Sequence, residues 1–103
     1  MKKAAARAEV AIRAHVQTLY AGANAFTIGA VEIDPKHLAV WITTLTDAQR
    51  DALSRDPGLK DHLRGLLAQA SYPAASIPLV GFAFESEETV RRDHGGNWWY
   101  AIK

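Results

Sequence analysis

Residues 77–103 read IPLVGFAFESEETVRRDHGGNWWYAIK, and this stretch decides how the rest of the chain must fold. Two runs within it, residues 77–84 and 97–102, are rich in aromatic and β-branched residues and are predicted to be strands. Successive side chains of a strand point to opposite faces, so each run would place apolar side chains on both faces. The sheet therefore needs cover on two sides, from helices, a loop or another subunit.

The final run shows this two-sided character most clearly. As a strand it would carry Trp98 and Tyr100 on one face and Trp99 on the other. One layer of helices can bury only one of these faces. The second face is expected to be a contact surface, because large exposed apolar patches mark binding sites.

Length and composition describe an ordinary globular protein. The 103 residues are 49% hydrophobic and 22% charged, with a net charge of +1 and no cysteine. We expect a single α+β domain, residues 1–103, without disulfides or a zinc site built on thiolates. The balanced charge provides no field to attract nucleic acid. No run reaches the roughly 18 apolar residues of a membrane span, so we expect a soluble, unprocessed bacterial protein of the cytoplasm that does not bind membranes.

Upstream of this stretch, the chain alternates helical and strand patterns. The apolar residues Ile12, Val16, Leu19 and Ala23 recur at helical spacing. Gly29 inside the first strand predicts a bulge or a close approach by another element. An antiparallel hairpin with a turn at Asp34-Pro35-Lys36-His37 is predicted next. The predicted elements are a helix over residues 4–23 and strands over residues 26–33 and 38–44.

A broken helix follows the hairpin. Thr46 and Gln49 match a capping box, in which the threonine caps the helix and the glutamine side chain reaches back to the cap. Pro57 ends the first segment, and a second segment with Asp56 as its cap continues to residue 70. The predicted order is α-β-β-α(broken)-β-(short α)-β, a mostly antiparallel sheet with helices packed on one face.

The connector, residues 85–97, allows two interpretations. His94 oriented by Asp93 could act as a general base, with Arg91 or Arg92 holding an anion. Alternatively, Ser86 caps a short solvated helix that Gly95-Gly96 terminates. Adjacent residues seldom face one another, which favours the short helix.

Metal and cofactor motifs are missing from the sequence. The four histidines have no i, i+4 spacing and no nearby carboxylate at ligand spacing. His15 borders the apolar stripe of the first helix and is read as a boundary residue. No glycine-rich phosphate loop occurs. We therefore expect no metal and no cofactor.

Trp98, Trp99 and Tyr100 also permit a nucleic-acid interpretation, since aromatic rings on an open sheet stack on bases. Lys and Arg do not alternate with them, so RNA is a possible partner but not the favoured one.

The order of elements resembles the bacterial ribosome-binding factor A family, which has a KH-like fold. The similar parts are the apolar stripe of the first helix, the hairpin VEIDPKHLAVWITTL, the helix end LRGLLAQASYP and the strand IPLVGFAFESEE. The resemblance implies a KH-like sheet and association with ribosomal RNA. The chain departs from the family in lacking a strongly basic surface and in adding GGNWWYAIK as an extra strand. It also lacks the Gly-x-x-Gly loop of nucleic-acid-binding KH domains, and no functional residue is carried over.

Three functional hypotheses result. The leading one is a non-enzymatic interaction module that forms a homo-oligomer, such as a homodimer, or binds a protein partner through an aromatic sheet face, with Trp41 and Trp99 as the main contacts. The alternatives are an RNA-binding, ribosome-associated protein and a small enzyme that uses the connector. The candidate interface or binding residues are Trp41, Trp98, Trp99, Tyr100, Arg91, Arg92 and His94. No catalytic residue and no metal ligand is assigned.

Overall fold

A computed structural model describes residues 2–102, which fold into helices and a three-stranded sheet and confirm the predicted α+β class. The helices are α1 (Lys2–Leu19), α2 (Asp47–Ser54), α3 (Leu59–Gln69), α4 (Glu87–His94) and α5 (Trp98–Ile102). The strands are β1 (Asn24–Ile28), β2 (Ala39–Thr44) and β3 (Gly81–Ser86). Single 3₁₀ turns, Pro35–His37 and Ile77–Leu79, precede β2 and β3.

The core lies between one face of the sheet and helices α1, α2 and α3. Ile12 and Val16 on α1 are fully buried, as their spacing predicted, but Leu19 remains 43% exposed because α1 ends there. Val40 and Ile42 supply the buried face of β2. The three helices contribute to the same cluster through Ala4, Ala5, Ala8, Ile12, Val16, Leu53, Leu59, Leu63 and Leu67.

The sheet has the order β1-β2-β3 and is mixed rather than mostly antiparallel. β1 and β2 pair antiparallel, with Phe26 opposite Trp41, which confirms the predicted pairing of these two strands. β2 and β3 pair parallel, with Val40 opposite Phe82. A parallel pair needs a long crossover connection, and the broken helix α2–α3 is that connection.

The connection between β1 and β2 requires a glycine at position 29. Its φ is +144°, and a Cβ atom there would lie 2.2 Å from the backbone carbonyl oxygen of His37. Only glycine fits such a position, so the predicted close approach is confirmed and β1 ends at Ile28 instead of residue 33. The predicted turn is also present, since Asp34 Oδ1 accepts a hydrogen bond from the Lys36 amide at 3.0 Å.

Local side-chain hydrogen bonds lie at the start of α2 and in the break before α3. Thr46 caps α2 by accepting from the Gln49 amide at 3.2 Å, as predicted. The Gln49 side chain accepts from the amide of Leu45 instead of Thr46. The predicted cap at Asp56 is wrong, because Gly58 is the N-cap of α3 and no side chain caps that helix. Asp56 instead accepts from the Gly58 amide at 3.0 Å, in the turn that precedes α3.

Residues 77–79 form a 3₁₀ turn, although the sequence predicted a strand from residue 77. Pro78 has no amide to donate to a neighbouring strand, and it lies at the start of the turn. The strand therefore begins at Gly81 and runs to Ser86.

The predicted C-terminal strand is wrong, because residues 98–102 form the helix α5. Ser86 caps α4 by accepting from the Thr89 amide, and Gly95 ends α4 with a φ of 60°, as predicted for the short helix. Asn97 then accepts from the amide of Trp99 at 3.0 Å and starts a new helical turn. This cap overrides the strand preference of the aromatic residues that follow.

Side chains of α1 occupy the outer edge of β1. The amide of Thr27 donates to Glu9 Oε1 at 2.8 Å, and the carbonyl oxygen of Ala25 accepts from Arg13 Nη2 at 3.1 Å. The amide of Ala25 donates to the side chain of Asn24. Three backbone groups on the free edge of β1 are thus already hydrogen-bonded, namely the amides of Ala25 and Thr27 and the carbonyl of Ala25.

The helices in the described part of the chain include none that is long and apolar enough to cross a bilayer. Since α1, α2 and α3 cover one face of the sheet, the candidate site lies on the opposite face, where α5 packs.

Candidate functional site

An aromatic pair lies on the sheet face that α1, α2 and α3 leave open. Phe26 on β1 and Trp41 on β2 are direct cross-strand partners. Their rings are nearly parallel, with centroids 6.1 Å apart and 2° between the planes. Both side chains are half-buried. Cross-strand aromatic pairs stabilise a sheet, so this pair also fixes the register of β1 against β2.

Helix α5 covers part of this face from within the same chain. The ring of Trp98 meets Phe26 edge-on, at 6.4 Å between centroids and 87° between planes. Edge-to-face packing is a favourable aromatic geometry. Trp98 is consequently half-buried, and it anchors α5 to the sheet.

The next two residues of α5 point elsewhere. Trp99 is 65% exposed and Tyr100 is 59% exposed. Side chains of consecutive helical residues diverge by about 100°, so only one of three adjacent aromatic residues can face the sheet. We call Phe26, Trp41, Trp98, Trp99 and Tyr100 the aromatic surface.

A cavity of about 310 Å³ opens beside the Phe26–Trp98 contact. Its lining consists of Gly22, Asn24, Phe26, Thr43, Glu87 and Trp98. Glu87 is an exposed carboxylate in the first turn of α4. The side chain of Asn24 is held by Arg13, whose Nε donates to Asn24 Oδ1 at 2.8 Å. The cavity thus combines two aromatic walls with polar groups at its rim.

A polar cluster fixes α4 against α2. The carboxylate of Asp47, in the first turn of α2, accepts hydrogen bonds from the hydroxyls of Ser86 and Thr89 and from Arg92 Nη1. These bonds, with that of Ser86 the strongest contributor, hold the pKa of Asp47 well below its usual range.

Arg50 extends this cluster to the end of β3. Its Nη1 donates to Glu85 Oε1 at 3.1 Å and to Thr89 Oγ1 at 2.8 Å. Glu88, in turn, accepts from the amide of Asp47 at 2.9 Å. Because Ser86 is fully buried and no histidine contacts it, the cluster stabilises the α2–α4 junction and offers no accessible nucleophile.

The structure distributes the connector residues over different roles. Arg92 pairs with Asp47 and with Asp93, at 3.0 and 3.1 Å. Asp93 therefore engages Arg92, and within residues 2–102 it makes no hydrogen bond to His94 of the kind that the general-base hypothesis requires. Arg91 is exposed and makes no ion pair with any described residue. His94 is half-buried and does not line the cavity beside Trp98.

Two other histidines form a contact that the sequence did not reveal. The rings of His15 on α1 and His62 on α3 lie 4.1 Å apart between centroids, tilted by 34°. Burial, and then the charge of His62, lower the pKa of His15. Spacing along one helix cannot detect a pair drawn from two helices. Residues 2–102 bring together no group of three or more His, Cys, Asp or Glu side chains that could hold a metal ion.

Sequence reasoning missed Phe26 and Glu87 as members of the site. The sequence carries no such signal for Phe26, because a hairpin with its turn at residues 34–37 would place Ala30 opposite Trp41, whereas the observed register pairs Trp41 with Phe26. Glu87 lines the cavity together with Trp98, and residues 98–102 form a helix instead of the predicted strand.

Comparisons with protein-family models, with curated proteins and with solved structures gave no match to this chain.

Proposed function

We propose that this chain is a non-enzymatic interaction module that self-associates, or binds a protein partner, through the aromatic surface. The observation that carries the proposal is the 65% exposure of Trp99 directly beside the anchored Trp98. Tryptophan is the residue type most enriched at the energetic centres of protein interfaces, since it buries a large area with few rotatable bonds.

The position of Trp99 is restrained before any partner arrives. Trp98 attaches α5 to Phe26, and the Asp47 cluster attaches the preceding helix α4 to α2. A restrained side chain loses less conformational entropy on binding. Ile28, which alternation places on the same sheet face as Phe26, is 40% exposed and extends the apolar area.

The bacterial origin and the cytoplasmic location stay predictions of the sequence. Both are consistent with a small interaction module that carries no cysteine.

Sedimentation velocity at micromolar concentrations tests self-association. We expect a concentration-dependent dimer that Trp99→Ala converts to monomer. Leu79→Ala is the matched control, because Leu79 is 61% exposed but lies outside the aromatic surface. If the native protein stays monomeric and Trp99→Ala leaves its sedimentation unchanged, self-association is refuted.

RNA binding is a second candidate, supported by the exposed Trp99 and by Arg91, a solvent-exposed cation without an ion pair among the described residues. The resemblance to ribosome-binding factor A points the same way. Single-stranded RNA would then quench tryptophan fluorescence, with an affinity that falls steeply as salt rises. A flat titration at low salt would remove this candidate.

A further inference from the structure

We infer that the cavity beside Trp98 is a recognition pocket for an organic cation, specifically an arginine or lysine side chain presented by a partner protein. The inference rests on the proposed interaction function and names the chemistry of the contact. It is carried by the combination of two aromatic walls and one carboxylate around a single cavity.

The walls are suited to a cation because of their geometry. Phe26 and Trp98 both line the cavity, and their ring planes are perpendicular at 87°. Aromatic faces carry partial negative charge and attract ammonium and guanidinium groups, with tryptophan the strongest. Two rings set at right angles form adjacent walls, as in the aromatic cages that bind alkylated ammonium groups.

The charge around the cavity agrees with this assignment. Glu87 lines it, and within the described chain this carboxylate accepts no hydrogen bond and forms no ion pair, even with Arg91 one turn away on α4. No lysine or arginine is among the lining residues. Arg13 approaches from behind Asn24, but Glu9 pairs with its guanidinium at 3.2 Å. No basic side chain of the described residues pairs with Glu87, so the net side-chain charge that lines the cavity is negative.

The size and position of the cavity favour a side chain over a bare ion. A metal ion needs several converging oxygen or nitrogen ligands, and this cavity offers one carboxylate. Its volume of about 310 Å³ is at the small end of ligand pockets, large enough for a guanidinium and part of its stem. Trp98 belongs both to the aromatic surface and to the cavity lining, so the proposed contact surface includes one wall of the cavity.

The probes are N-acetyl-arginine amide and tetramethylammonium chloride, added to the 103-residue protein. Two-dimensional NMR would follow the indole NH signals of the tryptophans. We expect saturable shifts of the Trp98 signal with millimolar affinity and smaller shifts of the Trp99 signal. N-acetyl-glutamate amide and sodium chloride at matched ionic strength should leave the Trp98 signal in place.

Variants assign the binding to the cavity. Glu87→Gln should weaken binding of the arginine probe roughly threefold, as expected for one solvent-accessible ion pair. Trp98→Leu should weaken it about tenfold, whereas Trp98→Phe, which keeps an aromatic wall, should retain most of it. Glu32→Gln removes an exposed carboxylate that is not among the cavity-lining residues and should have no effect.

The outcomes separate this inference from the proposed function. Saturable binding that Glu87→Gln weakens and Glu32→Gln does not supports the pocket. The pocket is refuted if no cation-specific shifts occur, or if Glu87→Gln shows shifts equal to those of the native protein. If Trp98→Leu does not fold, Trp98→Phe tests the contribution of the aromatic wall. Loss of dimer in Trp99→Ala with no cation binding would leave the interaction module intact and refute the pocket alone.

Discussion

Asp47 shows how one ionised side chain can join three elements. It lies in the first turn of α2, and it receives hydrogen bonds from Ser86 at the end of β3 and from Thr89 and Arg92 on α4. Donors to the charged form favour ionisation, so the pKa of Asp47 is lowered. The local sequence predicted only the helix cap at Thr46. It could not predict the bonds of Asp47, because their donors lie about 40 residues further along the chain.

Asp47→Asn is expected to lower the free energy of unfolding at neutral pH. A carboxyl whose pKa is depressed in the folded state contributes stability that is present above its ordinary value and lost at lower pH. The difference between variant and native protein should therefore shrink as the pH falls below 3.8, the ordinary value for Asp. Urea titrations over a range of pH would measure this.

Asp61→Asn is the control for that series, because the Asp61 side chain is 84% exposed and its ion-pair partner among residues 2–102 is Arg64. Exposed pairs contribute little, so this variant should track the native protein at every pH. A difference for Asp47→Asn that does not change with pH would contradict the role of its charge.

The contact between His15 and His62 predicts a second pH dependence. The lowered pKa of His15, caused first by burial and then by His62, means that the folded state binds fewer protons than the unfolded chain. The free energy of unfolding should hence decrease as the pH falls below 6.5, the ordinary value for His.

An NMR titration of His15 checks this prediction. In His62→Gln the pKa of His15 should move upward without reaching 6.5, because burial remains. His37→Gln, at an exposed position between β1 and β2, is the control and should not move it. An unchanged pKa of His15 in His62→Gln would show that the two rings do not interact electrostatically.

At the scale of elements, the most demanding local geometry is at Gly29. A β-carbon there would overlap the carbonyl oxygen of His37, and φ lies at +144°. Gly29→Ala should destabilise the protein by at least about 2 kcal/mol, since strain and overlap act together. Thermal or urea unfolding of the purified variant measures the loss.

Gly65→Ala is the matched control, because Gly65 lies inside α3 and a β-carbon there meets no atom within 4 Å. Alanine favours a helix interior over glycine, so this variant should gain up to about 1 kcal/mol. Equal effects of the two substitutions would contradict the account of Gly29.

The sequence correctly predicted helices α2 and α4, whose ends are marked by capping residues. Thr46 and Ser86 cap the helices that they were expected to cap, and Gly95 ends α4 in the left-handed conformation. Residues 98–102 were misassigned because tryptophan and tyrosine favour strands, while the cap at Asn97 and its neighbouring glycines favour a helical turn. Periodicity over five residues is too short to decide between the two.

That misassignment changed the inferred site. As a strand, residues 98 and 100 would share one face, whereas in α5 Trp98 alone packs on Phe26 and Tyr100 is exposed. Trp41 was expected to be a main contact, and the structure places it half-buried beside Phe26. Which of three consecutive rings turns inward depends on the helix and on a cross-strand partner, so local sequence could not specify it.

At the scale of the whole molecule, the helical layer and the sheet should fold without α5. No described residue of α5 is buried, and an edge contact of Trp98 with Phe26 attaches this helix to the sheet. Deletion of residues 97–103 should cost about 1–3 kcal/mol and preserve one cooperative unfolding transition.

Binding of an apolar dye provides the second measurement for the deletion. Dye fluorescence should increase, because Phe26 loses the ring of Trp98 that packs against it. The point variant Trp99→Ala leaves that cover in place and should bind dye no better than the native protein. A deleted protein without a cooperative transition would show that α5 belongs to the folding core.

The side chains of Glu9 and Arg13 that occupy the outer margin of β1 also limit how copies can join. An additional strand from another chain finds no free amide at Thr27 and no free carbonyl at Ala25. Polymerisation into a fibre by continuous sheet growth requires two open margins, and this molecule can offer one at most. Two copies that join their sheets edge to edge would therefore form a dimer that no third copy can extend, because the β1 edge of each copy is occupied.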